Sequence, residues 1–179
     1  MKRTGRLIES VASLENLTLA FHKATRGKQH SEEVAAFRSN LDSELAALRR
    51  GLLRGDVRVG DYYTFTIRDP KTRQICAPVF RERVLHHALM SVCEPVLERA
   101  AVPESFACRR GKGRLAALKV ARHGTWRRRW FLKMDMRAYF DSIDQEILVC
   151  LLWRRFKDRR LMKLFERIIH VYEKRHGKG

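Results

Sequence analysis

Asp135 closes an apolar run, Trp130-Phe131-Leu132-Lys133-Met134, and leads into Met136-Arg137-Ala138-Tyr139-Phe140-Asp141-Ser142-Ile143-Asp144. Such a run reads as a buried strand that would hold one carboxylate at the edge of a sheet. Carboxylates in that position suit nucleotidyl transfer, where two Mg²⁺ ions activate a primer hydroxyl and stabilise the leaving pyrophosphate. Hard oxygen donors match that ion. Taken alone, a strand-end aspartate is more often a helix cap or an ion-pair partner, so its neighbours decide.

Cations supply the second candidate chemistry. Lys and Arg number 38 against 20 acidic residues, a net charge of +18. Such a balance points to a polyanion, because each neutralised phosphate releases a condensed counterion. A solubilising surface or an anionic membrane would use the same charge. Arg68, Lys71 and Arg73 cluster around Asp69-Pro70, and Arg109, Arg110, Lys112 and Arg114 punctuate a glycine-containing loop. Trp126-Arg127-Arg128-Arg129-Trp130 mixes aromatics and cations as single-strand binders do. It equally suits a basic turn leading into a buried strand, the preferred reading. His86 and His87 are neighbours on a helix and point about 100° apart, so they make a poor metal pair. Arg81 and Arg83 suit either template contact or ion pairing with Glu82 or Glu94. Cys76, Cys93, Cys108 and Cys150 are too widely spaced for a typical zinc site and read as reduced, mostly packed thiols. That pattern suits a reducing, cytoplasmic setting. No apolar run approaches the ~18 residues of a membrane span, and no membrane partner is expected.

The elements that must position these residues follow from periodicity. Helical spacing covers 14–24 and, after the N-cap Ser31, 32–53. Val57, Val59, Tyr62, Tyr63, Phe65 and Ile67 then read as a strand, Asp69-Pro70-Lys71-Thr72 as a turn and 74–77 as a return strand. Pro78 opens a long helix over about 80–99, which Pro95 should kink or divide. A helix near 114–123, the strand 130–135 and helices near 144–156 and 158–173 complete an α+β chain. At 45% apolar residues, the 179-residue sequence is a folding chain and can bury a core.

The segment from Phe131 to Asp144 resembles the first palm motif of bacterial reverse transcriptases (group II intron, retron and diversity-generating types), with their aspartate–aromatic–Asp-Ser-Ile pattern. Two further segments occur in the family's order: Ile67-Arg68-Asp69-Pro70-Lys71-Thr72-Arg73 running on into the helix at Phe80, and Glu104-Ser105-Phe106-Ala107-Cys108-Arg109-Arg110-Gly111-Lys112-Gly113. The resemblance covers about residues 60–172. It implies an α+β fingers–palm fold, with a helical lead-in at 1–56, fingers at 57–125 and partial palm at 126–179. Asp135 would be the first catalytic metal ligand, for Mg²⁺, with the Met136 carbonyl nearby. Phe140 would be the aromatic gate against a ribose 2′-hydroxyl. Lys71 and Arg73 would meet the dNTP triphosphate, a role that a compact charge and a bidentate fork both suit. Arg109, Arg110, Lys112 and Arg114 would face phosphates of an RNA template or DNA primer, although a generic basic loop explains them as well.

The chain departs from the family beyond the glycines at 177 and 179. There the family continues into a second palm helix, a Tyr-x-Asp-Asp hairpin with two further carboxylates, and a thumb. Asp69, Asp141, Asp144 and Asp158 lie in other contexts, with Asp141 and Asp144 reading as helix caps. One aspartate does not hold two Mg²⁺ ions. The expectation is therefore an RNA-directed DNA polymerase chain that stops within the palm, with an incomplete metal site and doubtful activity alone. An interrupted gene, a split enzyme completed by a C-terminal polypeptide and a retained binding module all fit. The alternative reading is a non-catalytic basic RNA- or DNA-binding protein.

Overall fold

Apolar side chains at three- and four-residue intervals make the first part of the chain helical. The computed structural model describes residues 3–137 and 139–176; Met1, Lys2, Ala138 of the Asp135 motif and the glycine-rich residues 177–179 lie outside them. The helices are α1 (Ile8–Val11), α2 (Leu14–Thr25), α3 (Glu32–Ser39) and α4 (Leu41–Arg54), then α5 (Phe80–Glu98), α6 (Arg114–Arg127), α7 (Gln145–Trp153) and α8 (Arg159–His176). Strands β1 (Tyr62–Asp69) and β2 (Lys71–Pro78) form an antiparallel hairpin, the one sheet among the described residues. The protein is thus mixed α and β. Pro95 lies inside α5 without ending it.

The helix expected over 32–53 is divided at Asn40, whose φ of −118° and ψ of 27° leave the helical region. Local side chains compete there with the helical ladder. Ser39 Oγ and Asn40 Nδ2 both donate to the Ala36 carbonyl, and Ser43 Oγ donates to that of Asn40. Ser31 caps α3 through its hydroxyl, as its position suggests. Gly55, at φ +81°, closes α4 in the left-handed conformation that glycine adopts without cost. At Gly51 a Cβ would come within 2.9 Å of Val57 Cα, so only glycine lets the chain after α4 fold back this closely.

Two compact units result, Met1–Glu94 with Gln145–Gly179 and Pro95–Asp144. The first has a continuous core in which Leu17, Leu48, Leu52, Val84, Leu85, Phe156, Leu161 and Met162 are fully buried. Phe21, Phe37 and Phe80 interlock at centroid distances of 5.2–6.1 Å. Such offset and edge-on pairs add to the burial of their area. Asp158 ties the two ends of the sequence together. Its Oδ2 accepts from the amides of Leu7 (2.8 Å) and Ile8 (3.0 Å), and its Oδ1 from those of Arg160 and Leu161. One carboxylate thereby satisfies the free amides of two helix N-termini, α1 and α8.

The second unit differs in kind. Among its described residues only Val96 is buried, and α6 buries none. The strand expected over 130–135 does not form: the segment is irregular and exposed, although most of its side chains are apolar. A strand needs a neighbour for its amides and carbonyls, and no strand among the described residues pairs with it. The thiols also correct an expectation. Only Cys93 is packed, with burial and the nearby Asp158 charge pushing it up to about 12; Cys76, Cys108 and Cys150 are exposed.

Candidate nucleic-acid and nucleotide interface

In the first unit, the hairpin presents the candidate nucleotide-facing cations. Register runs from Tyr62↔Pro78 to Asp69↔Lys71, which leaves Pro70 at the tip where no ladder donor is needed. Directly opposed residues share a face, so Lys71 and Arg73 lie with Tyr63, Phe65, Ile67 and the carboxylate of Asp69, while Arg68 lies on the other side. Tyr63 and Phe65 stack at 5.8 Å. Lys71 and Arg73 are exposed, and neither enters an ion pair among the described residues. The result is an open face carrying two cations beside two aromatic rings. The alternation at 63, 65 and 67 carried that signal in the sequence, where the aromatics read only as strand formers.

Glu82 fixes the base of this hairpin. Its buried carboxylate accepts from the amide of Gly60 at 2.9 and 3.1 Å and from that of Asp61 at 2.7 Å. Burial raises its pKa, but the adjoining His86 and the two amides outweigh burial and hold it below the ordinary 4.5. His86 Nε2 lies 3.5 Å from Glu82 Oε1, a charge contact longer than a good hydrogen bond. Both histidines are half-buried, so the expected split into one packed and one surface residue is not seen. Arg81 pairs with Glu44 at 3.7 Å, not with Glu82 or Glu94. The long-range backbone partners of Glu82 and Asp158 were not legible, because the Gly60, Asp61, Leu7 and Ile8 amides lie 21 to 151 residues away.

In the second unit, the candidate phosphate-facing cations divide into two pairs. Arg109 is drawn into its own loop: its guanidinium meets Glu98 at 2.7 Å and donates to the carbonyls of Val102 and Ser105. Lys112 donates to the Pro103 carbonyl and stands 5.2 Å over the Phe106 ring. These two shape the loop, whose glycines at 111 and 113 take positive φ. Arg110 and Arg114 remain exposed. Asp135 and Met136 lie in the exposed irregular segment. Phe140 starts a 3₁₀ turn, Phe140–Ser142, with its exposed ring 5.3 Å from that of Tyr139. Asp141 lies within that turn and Asp144 directly precedes α7.

The residues present do not make up a two-Mg²⁺ site. Asp135 with the Met136 carbonyl is a short donor set, and no group of three or more His, Cys, Asp or Glu among the described residues could hold a metal. No helix among the described residues is long and apolar enough to cross a membrane.

No family model matches the chain. Among curated proteins it is 28% identical over 98 residues to nuclear intron maturase 1, mitochondrial, of Arabidopsis thaliana, covering 55% of this chain and 14% of that protein. It is 24% identical over 180 residues to protein YkfC of Escherichia coli, covering 93% of this chain and 47% of YkfC. It is 23% identical over 194 residues to the group II intron-encoded protein LtrA of Lactococcus lactis, covering 94% and 32%. The chain spans less than half the length of each of these relatives. Its low-identity similarities thus run to an intron maturase, an intron-encoded protein and YkfC, and the maturase and the intron-encoded protein support the family that the Asp135 motif resembles.

Proposed function

We propose that this chain is the nucleotide- and nucleic-acid-facing part of an RNA-directed DNA polymerase from an intron-type mobile element, with residues 57–125 as fingers and 126–179 as partial palm. The observation that carries the reading is the hairpin tip. Lys71 and Arg73 are exposed there, and among the described residues neither enters an ion pair, which leaves both cations open to a triphosphate. The motif order and the maturase and intron-encoded relatives support it. In this reading Lys71 and Arg73 hold the dNTP, Asp135 contributes the first metal ligand and Phe140 contacts the sugar. Arg110 and Arg114 meet template or primer phosphates, with Arg109 and Lys112 shaping the loop between them. Residues 1–56 are the helical lead-in, and the setting is cytoplasmic. The donor set at Asp135 is too small for both metals. In this reading the reaction needs carboxylates in addition to Asp135.

A fluorescent dNTP titrated into the chain with template–primer tests the assignment. Charge-assisted hydrogen bonds contribute about 1.5–3 kcal/mol, so Lys71→Ala and Arg73→Ala should each weaken binding roughly tenfold or more. Equal affinity in both variants removes the nucleotide role. It would leave the non-catalytic binding reading, which the net charge alone supports.

A further inference from the structure

We infer that α6 and the segment after it form a binding surface for single-stranded nucleic acid, centred on Trp126 and Trp130. The inference rests on the nucleic-acid reading above and adds the place and the kind of strand. Between Glu104 and Asp135 the sequence contains ten Lys or Arg residues and no Asp or Glu. No carboxylate within the segment can therefore neutralise its cations. Its field suits a polyanion and opposes a basic partner.

The aromatics within that field are open. Trp126 is 78% exposed and Trp130 89%, with Arg127, Arg128 and Arg129 between them. The Arg122 guanidinium stands 5.2 Å over the Trp126 ring, one helical turn away, in cation–π contact. That contact holds the ring at the end of α6 beside a charge that a phosphate can use. Indole faces interleaved with guanidinium groups fit unpaired bases, which stack on rings while the cations track the backbone. In a duplex the base faces are already stacked on one another, so the rings would contribute nothing and only the charge would act.

The preferred sequence reading, a basic turn leading into a buried strand, hides Trp130. The exposure of both rings revives the single-strand reading. Trp153, the third tryptophan, is half-buried on α7 and donates to Glu166 at 3.2 Å, so it offers no comparable face.

The test titrates the full chain with a single-stranded oligouridylate and with an RNA duplex of equal length, following tryptophan emission and bound fraction. The single strand should quench emission and bind more tightly than the duplex. Trp126→Ala and Trp130→Ala should each weaken single-strand binding about five- to a hundredfold, with duplex binding unchanged. Trp126→Phe and Trp130→Phe should keep most of the affinity, since the ring face remains. Because both side chains are exposed, the variants should fold, and unchanged far-UV circular dichroism would confirm it. Alanine variants that bind the single strand as tightly as the parent overturn this surface but leave the nucleic-acid reading standing. No binding of either RNA overturns both. Self-association that the alanine variants abolish, without RNA-dependent quenching, would make the surface a polypeptide contact and overturn the inference.

Discussion

Asp158→Ala is expected to destabilise the protein by about 3 kcal/mol, seen as a lower urea midpoint with an unchanged slope. The substitution removes the acceptor of four amide hydrogen bonds at once, two at α1 and two at α8. A single lost N-cap costs about 1 kcal/mol, and here two helix ends lose theirs together. Asp158→Asn should recover part of the loss, since its one carbonyl oxygen can serve one helix and not both. The N-terminal segment should show the change first. Thr4 bridges Phe156 in parallel fashion, donating to the Arg155 carbonyl at 2.9 Å and accepting from the Lys157 amide at 2.8 Å. Faster amide exchange at residues 4–8 would accompany the lowered midpoint.

Glu82→Ala should cost a similar amount, about 2–4 kcal/mol, because it strands the Gly60 and Asp61 amides and removes a buried, satisfied charge. The loss should extend to the candidate site. The hairpin is a two-stranded sheet, marginal by itself, and it relies on Glu82 and on the Val79 amide donating to Asp61 at 2.9 Å. Weaker triphosphate binding in Glu82→Ala, with Lys71 and Arg73 intact, would identify Glu82 as a positioning residue. Glu82→Gln should lie between the parent and the alanine variant.

Both carboxylates also set the response to acid. Burial raises Asp158, but its four amide donors outweigh burial and hold it below the ordinary 3.8; Glu82 is held below 4.5. Depressed native values mean that the unfolded chain binds protons more readily. The stability they contribute is fully present above 4.5 and 3.8 and is lost as pH falls through the lower native values. His87 acts in the same direction at higher pH. Burial, Arg83, Lys23 and His86 lower it, so its share declines as pH falls below 6.5.

Local pattern made most elements legible. Periodicity located α2, α5 and α8, and β-branched and aromatic residues beside Asp69-Pro70 located the hairpin. The failures share a cause, since each depends on a partner that the local sequence does not contain. The apolar content of 130–136 indicates what the segment would bury, but no neighbouring strand is present among the described residues to bury it. Asn40 divides a helix through side-chain hydrogen bonds that periodicity does not register. At the candidate site, the cations of the glycine loop were legible as a group. Their division into loop-shaping Arg109 and Lys112 and exposed Arg110 and Arg114 depends on Glu98 and on backbone carbonyls, which only the fold brings near. Arg160 and Arg167 reach the carbonyls of Leu53, Gly55 and Val57 more than a hundred residues away, and nothing in their neighbourhood announced it.

The central claim is that the +18 charge of this chain serves a nucleic acid. It is tested most directly by measuring RNA affinity across a salt series. Each phosphate neutralised on a single strand contributes about −0.7 to the slope of log affinity against log salt. A surface using roughly six cations should therefore give a slope near −4 and an affinity that collapses with added salt. A flat salt dependence, or no RNA binding at low salt, would contradict the account.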